Sequence, residues 1–457
     1  MTDLIIIGAG PAGMAAAATA ARGGAKVVLL DEQPRAGGQI YRNVTINNGR
    51  LPHLGEDYSK GAHLAAGLDH PNITCFFGST VWRVEAGPSV TVSRHKKSQR
   101  MDAPHILIAI GAQERPTPFP GWTLPGVMPA GAAQILMKSS DLMPRNAVLA
   151  GTGPLLYLIA SQMIDADRPP LALVETQTPF MLATSLVHLP RALLDRHSIF
   201  KGLGLLRKIR KAGVARYTSA RAFRATADDD RLQFQFTSKG KSQSLLCDLV
   251  LSHQGVVPAT QLSRAAGVPH VWNKAQRCWQ PERDDEGKTP VDGIWIAGDS
   301  GGIHGADAAR AEGVIAANAI LCRLHGLRPE VAPHVNAHAL NHRFRARAIR
   351  PFLDAAYAPA QEFLTPPDDA IVCRCEETTA GDLRLAMRNG ASDLRHLKAA
   401  TRAGMGPCQG RMCGLTLASL LSEHTGQNLD TIAPLRVRSP IKPVTLGELA
   451  ALDRPES

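Results

Sequence analysis

Aromatic residues make up only 5% of this 457-residue chain, and its cysteines number eight. Eight cysteines in such a length are too sparse for a disulfide scaffold. No run of eighteen apolar residues occurs, which excludes a spanning helix on sequence grounds. The N-terminus has no cationic stretch ahead of its first apolar run and no cleavage site, so it does not read as a secretory signal. HExxH, a nucleophilic triad motif and a paired-carboxylate motif are all missing. The expected location is therefore cytoplasmic, a reducing compartment where clustered cysteines more often hold metal.

The chain is 44% hydrophobic and 20% charged, an ordinary globular balance. At about 150 residues per domain its length suggests roughly three domains. Its formal charge of +11 comes from 51 Lys and Arg against 40 Asp and Glu. The densest basic stretches, 201–216 and 343–350, have no interleaved aromatics and no nucleic-acid motif. They read as solvated helix faces or subunit contacts, and no nucleic-acid partner is expected.

The apolar run LIII at 4–7 leads into GAGPAG at 8–13, then an Ala-rich helix pattern to Arg22, then VVLL at 27–30. This is a β-α-β unit. Gly8 suits the tight turn, Gly10 a close approach of a pyrophosphate, and Gly13 close packing of helix on strand. The helix N-terminus offers free N–H groups to phosphate. Asp31 follows Gly8 by twenty-three residues, at the end of the second strand, with Glu32 beside it. A carboxylate there suits ribose hydroxyls.

A second cycle starts with AVLA at 147–150 and GTGPLL at 151–156, followed by a helix to about Asp165 and LALV at 171–174. Gly151 and Gly153 are present, Leu156 takes the third glycine position, and Glu175 stands at the ribose position. No Arg or Lys immediately follows Glu175, which favours NADH over NADPH. An adenine nucleotide (NAD or ATP) in this fold and a relic fold retained as scaffold both remain open. Strand patterns at 106–111 and 249–258 mark crossings between the two units, and IWIA at 294–297 runs into Gly298 and Asp299 before a helix from Ala306 to about Leu324. His253 and His304 are candidates to face a cofactor. Cys75, Cys247, Cys278 and Cys322, and Trp122 and Trp295, read as packing residues.

Cys373 and Cys375 form a CxC, and after thirty-two intervening residues Cys408 and Cys413 form a Cx4C. Thiolates select iron–sulfur clusters, zinc or copper(I). Spacing leaves a [2Fe–2S] cluster, structural zinc and free thiols as alternatives. Thr378 or Thr379 is a candidate cap for a following helix. Gly404, Gly406 and Gly410 give the second pair flexible backbone.

IAGDSGG at 296–302 resembles the flavin-binding Gly-Asp motif of two-dinucleotide-fold flavoproteins, and Gly37-Gly38-Gln39 resembles their turn beside the FAD pyrophosphate. The resemblance implies FAD in the first fold, with Gly38, Gln39, Val81, Gly111, Gly298 and Asp299 among its contacts and Asp299 on the ribityl chain. CRCEE at 373–377 with the later pair is similar to the bacterioferritin-associated-ferredoxin-like [2Fe–2S] domain, whose last pair is usually CxxC. The CQGRMCG form, with GGQIYR at 37–42, GWTLPGVMPAGAAQ at 121–134, QGVVPATQL at 254–262 and RPFLDAAYAP at 350–359, resembles the FAD-containing α subunit of heteromeric amino-acid and opine dehydrogenases. That resemblance implies a partner β flavoprotein subunit that oxidises the amine, a small ferredoxin-like subunit, and an electron-transferring role for this chain.

The expected architecture is α/β, with two nested dinucleotide-binding (Rossmann-like) folds and a small C-terminal helical iron–sulfur domain. FAD is expected on 1–118 and 256–330, the second nucleotide fold on 119–255, a connector on 331–370 with one or two short helices, the cluster on 371–430 and a tail on 431–457. Two other readings stay open: an NADH-dependent reductase serving a protein acceptor, and a zinc-stabilised scaffold with inert nucleotide sites.

Overall fold

The computed structural model describes residues 2–47, 49–327 and 331–452. Leu4–Ile7 and Val27–Asp31 are apolar along almost their whole length, as strands covered on both faces must be. They sit in a five-stranded parallel sheet ordered Ile294–Ile296, His105–Ile108, Leu4–Ile7, Val27–Asp31, Ile73–Phe77. Helices Pro11–Arg22 and Ala306–Leu324 cover one face. Alanine and glycine let them touch closely: a Cβ on Gly313 would stand 2.1 Å from the Ala12 carbonyl oxygen. An antiparallel meander, Thr80–Glu85, Ser89–Arg94 and Lys97–Asp102, follows the sheet's edge strand, and its valines Val81, Val84, Val90 and Val92 pack on the opposite face.

The second sheet repeats the plan. Its parallel order is Ala215–Tyr217, Ala172–Glu175, Ala147–Thr152, Leu249–Gln254, Val127–Pro129. Its meander is Ala220–Asp228, Arg231–Ser238 and Lys241–Cys247, which carries the buried Phe223, Phe234 and Phe236. The two halves are joined by a short ribbon in which Ala112–Glu114 runs antiparallel to Val256–Pro258. The chain is thus an α/β protein with two parallel Rossmann-like sheets.

The expected connector is more regular than its prolines suggest. It holds the eighteen-residue helix Val331–Ala348, then Arg350–Ala356 and Gln361–Leu364. Pro333 and Pro351 fall in first turns, where a missing N–H breaks no helical bond. The boundary expected at 330, with Pro329, and the last residues of the tail, 453–457, lie outside the described residues.

The C-terminal part has its own core of Val372, Leu383, Leu397, Leu417 and Leu421 under helices Ala380–Arg388, Leu394–Thr401 and Gly414–Thr425. Thr379 caps the first of these in a reciprocal capping box with Asp382. The segment beyond returns to the first sheet. Ile432 and Leu435 belong to the C-terminal core, whereas Val437 and Ile441 pack under the first sheet, where the Ile441 N–H donates to the Trp82 carbonyl.

Candidate cofactor sites

The first glycine turn is shaped by backbone crowding. Gly8 has φ +105°, and a Cβ there would lie 2.5 Å from the Ala109 carbonyl oxygen. A Cβ on Gly13 would lie 1.8 Å from the Gly8 carbonyl oxygen, so the helix presses directly on the turn. Gly10 and Gly38 face each other across the mouth: a Cβ on Gly38 would reach within 2.9 Å of the Gly10 Cα, while one on Gly10 would meet only the Gly38 Cα at 3.9 Å. The space above Gly10 is therefore free for a ligand, at the N-terminus of helix Pro11–Arg22. Gln39 follows in the same loop, which is tied back where the Gly37 N–H donates to the Ala9 carbonyl at 2.8 Å.

Asp31 is engaged by the turn itself. Its carboxylate accepts the Ala9 N–H at 2.6 Å and the Gln33 N–H at 2.8 Å. Burial still pushes its pKa up, against those two bonds. Glu32 is the more exposed acid and pairs with Lys442 of the returning C-terminal segment. Val81 is buried in the meander core, so only its backbone can serve a ligand. Gly111, at φ +71° with open space where a Cβ would be, opens the crossover between His105–Ile108 and Ala112–Glu114.

Asp299 closes the site from the other strand end. Its Oδ1 accepts the N–H groups of His304 at 2.8 Å and Gly305 at 3.0 Å. Oδ2 accepts no side-chain or main-chain hydrogen bond among the described residues and is left for another donor. The preceding Gly298 N–H donates to Glu312 at 3.0 Å. Glu312 also pairs with Arg283 at 2.7 Å and with Arg347 at 2.5 Å. Burial alone would raise the Glu312 carboxyl, but Arg283 and then Arg347 bring it down to about 2. Burial pushes the neighbouring His304 down to about 3, so its ring is neutral.

Two further residues of this region were not among the expected site residues. Arg42 ends the GGQIYR motif, stands beside Asp31 and Glu32, and has a buried Nε with no partner among the described residues. Lys138 is 3% exposed and has no carboxylate partner among the described residues. Its ammonium donates to the Gln39 carbonyl at 3.2 Å and to Gln134 Oε1 at 2.9 Å, and burial with nearby Arg42 lowers it to about 7. The motif's last position could have flagged Arg42. Lys138 lies on helix Ala130–Ser140 with no local signal.

The second glycine turn has the same backbone but different contents. Gly151 and Gly153 take φ +133° and +121°, and the His253 ring lies 3.1 Å from where a Cβ on Gly153 would be. That ring is held by Glu114, whose Oε1 meets His253 Nδ1 at 2.5 Å while its Oε2 accepts the Gly131 N–H at 2.8 Å. Glu175 is fully engaged: Tyr157 donates to it at 2.5 Å, and Arg216 binds both oxygens at 2.9 and 3.0 Å.

The four C-terminal thiols are free and form two pairs, Cys373 with Cys413 and Cys375 with Cys408. The hydrogen bond from Cys413 holds Cys373 down at about 5 against the effect of burial, helped by the N–H groups of Gly404, Glu376 and Cys375. Gly404 and Gly406 pass so near that a Cβ on the first would meet Cys413 Sγ at 3.9 Å and one on the second Cys375 Sγ at 3.1 Å. Among the described residues no three or more His, Cys, Asp or Glu side chains gather as around a single metal ion.

Residues 2–313 match the family described as pyridine nucleotide-disulphide oxidoreductase, and residues 369–453 match the sarcosine oxidase A3 domain. The A-type subunit of opine oxidase from Agrobacterium tumefaciens (strain Ach5) is 44% identical over 98% of this chain and 92% of its own length. The chain belongs to this family of opine oxidase subunits. It is a flavin-dependent oxidoreductase and, like these relatives, reads as a subunit of a heteromeric oxidase. Hydrogen cyanide synthase subunit HcnB of Pseudomonas protegens is 30% identical over 98% of both chains. L-proline dehydrogenase from P. horikoshii shares the fold, with a TM-score of 0.70 at 19% identity over 98% of this chain and 79% of that one. The A3 match begins two residues before the expected cluster domain and continues through most of the expected tail. Among the described residues no helix is long and apolar enough to cross a membrane.

Proposed function

We propose that this chain is the FAD-binding, electron-transferring α subunit of an amino-acid or opine dehydrogenase whose amine substrate is oxidised on a partner β flavoprotein. The observation that carries this reading is the full-length relation to the opine oxidase subunits, joined to a first glycine turn that is open above Gly10. Gly8, Gly10, Gly13, Gly38 and Gln39 surround the pyrophosphate. Glu32, freed from Lys442, serves the ribose, because both oxygens of Asp31 already bind the turn. Asp299 Oδ2 accepts from the ribityl chain, and Arg42 supplies a cation to the phosphates.

Cys373, Cys375, Cys408 and Cys413 hold a [2Fe–2S] cluster in this reading. The all-sulfur donor set suits it, and so do the backbone N–H groups aimed at Cys373 and the glycines that let backbone lie against the sulfurs. A flavin exchanges one or two electrons and a [2Fe–2S] centre carries one, so the two together can divide an electron pair. The chain's own residues bind and orient both groups, and Glu312 fixes the backbone of Gly298 beside Asp299.

The second cleft serves as scaffold. Glu175 is bound to Tyr157 and Arg216, and the His253 ring stands at the phosphate turn, which speaks against NADH exchange. The test is co-purification from the native host. It should yield a β flavoprotein with this chain, with bound FAD, about two iron and two acid-labile sulfide per chain. A preparation without flavin ends the proposal, zinc in place of iron points to the scaffold alternative, and rapid anaerobic bleaching of the isolated chain by NADH points to the reductase.

A further inference from the structure

A buried cation stands between the two nucleotide-binding folds without a counter-ion. Lys138, on helix Ala130–Ser140 of the second fold, is 3% exposed and has no carboxylate partner among the described residues. A charge is kept out of water only where something pairs it. The groups that meet Lys138 are neutral or of its own sign. Its ammonium donates to the Gln39 carbonyl and to Gln134 Oε1, and it lies 5.9 Å from the centre of the Tyr58 ring. These bonds use two of its three N–H donors. The charge that acts on it is Arg42, a second cation. The acids beside Arg42 are already engaged, Asp31 by the glycine turn and Glu32 by Lys442. Two cations thus meet at the loop 37–42, and the Arg42 Nε is buried and unpartnered among the described residues.

The placement of Lys138 is built from both sides. Behind it, Gln134 donates to Gln162 Oε1 at 3.0 Å, and Gln162 donates to the Leu54 carbonyl at 3.2 Å; both glutamines are buried. From the first fold, Asn47 donates to the Lys138 carbonyl at 2.6 Å and to the Tyr58 hydroxyl at 3.1 Å, and that hydroxyl donates to the Arg42 carbonyl. The second fold therefore grips the loop that walls the open mouth between Gly10 and Gly38, and it brings an ammonium to the residue next to Gly38.

We propose that Lys138 is a cation supplied by the second fold to the dinucleotide in the first, with the FAD held over Gly10 as its counter-ion. The proposal rests on the reading of FAD in that cleft. An anion in the mouth relieves both cations at once, and the third N–H of Lys138 is the one left to face it. The second fold then takes part in cofactor binding although Arg216, Tyr157 and His253 occupy its own cleft.

The test uses full-length protein freed of FAD with potassium bromide and titrated calorimetrically with FAD and with ADP, in buffers of different ionisation enthalpy. Before the cofactor binds, burial and Arg42 hold Lys138 down at about 7, while burial pushes Tyr58, the other titratable group facing it, upward. At pH 8 the empty site is therefore mostly uncharged at Lys138, and binding an anion restores the proton. Wild type should take up about one proton per FAD at pH 8. Lys138→Met and Lys138→Gln should take up about one proton fewer, and at pH 6.5 should bind FAD about tenfold or more weakly. Lys138→Gln keeps a donor for the Gln39 carbonyl, so an unchanged melting temperature with weakened FAD separates loss of charge from loss of packing. An equal loss for ADP assigns the cation to the diphosphate. A loss confined to FAD, with a lower flavin reduction potential in the variants, assigns it to the isoalloxazine. Variants that bind FAD as tightly as the wild type, with the same proton uptake, overturn the proposal and leave the FAD reading standing. Wild-type uptake near zero at pH 8 overturns it whatever the variants do. Wild-type protein that binds no FAD defeats both.

Discussion

The two glycine turns have nearly the same backbone and opposite contents. Gly8 and Gly151 both take large positive φ, and both abut a carbonyl of the neighbouring strand. At the first turn the acid at the end of the second strand binds the turn's own N–H, and the space over Gly10 is left open. At the second, the equivalent acid is neutralised by Tyr157 and Arg216, and an imidazole lies against Gly153. A Rossmann-like turn therefore specifies a place where phosphate can be bound. The side chains that reach it from elsewhere decide whether the place is available.

The sharpest way to break this comparison is Gly13→Ala. Its methyl group would meet backbone at 1.8 Å, so the helix must move off the turn. The expected cost is on the order of 3 kcal/mol or more, with loss of bound flavin. Gly10→Ala is its control: its methyl group would meet only the Gly38 Cα, at an ordinary contact distance of 3.9 Å, so the chain should fold, while flavin affinity falls because the open space is filled. Thermal unfolding and the flavin-to-protein absorbance ratio separate the two.

At the second turn, Arg216→Ala leaves a buried carboxylate with only a phenol for company. Destabilisation of about 2–3 kcal/mol is expected in urea unfolding, and Glu175→Gln in the same background should recover part of it. If Arg216→Ala is silent, Glu175 is not held as described. His253→Ala opens the space beside Gly153 and leaves Glu114 without one of its two partners. A loss of about 1–2 kcal/mol is expected, together with a measurable gain in binding of a fluorescent adenine nucleotide by equilibrium titration. No gain would mean that more than the ring keeps the cleft closed.

The smallest effect should be seen in pH dependence. Glu312 is held below its ordinary value and His304 is held neutral well below its own. In both cases the unfolded chain takes up protons more readily than the folded one, so the stability they contribute is present near neutrality and lost on acidification. The loss should start near pH 6.5 as His304 charges in the unfolded state, and deepen below about pH 4.5 as Glu312 takes up its proton there. Glu312→Gln should flatten the lower part of the melting-temperature profile without moving the upper part.

Much of the fold was legible because parallel strands buried on both faces are continuous apolar runs, and 4–7, 27–30, 106–111 and 147–150 are such runs. The helices Pro11–Arg22, Pro154–Asp165 and Ala306–Leu324 follow from glycine starts and alanine-rich or apolar interiors. The helix Val331–Ala348 was hidden by prolines that fall where a helix tolerates them. The two meanders went unread although Leu232, Phe234 and Phe236 alternate strictly along Arg231–Ser238, because they lie between stronger signals. At the sites, the turn glycines and Asp299 were visible as motifs. The partners of Glu175 were not: Arg216 is forty-one residues away and reaches it only because Ala215–Tyr217 pairs with Ala172–Glu175. The pairing of Glu32 with Lys442, 410 residues apart, is likewise a product of tertiary folding.

The short stretch from Ile432 to Ile441 belongs to two cores at once. Leu435 fills the space beside Gly404 and Gly410 under the thiol cluster, and Val437, two residues on, is buried beneath the first sheet. The stretch acts as a tie rod: neither body can drift from the other without pulling an apolar plug out of one of them. Together with the Trp122 indole N–H, which donates to the Ile371 carbonyl, and Trp279, which is buried in the C-terminal core, it keeps the thiols in register with the dinucleotide cleft.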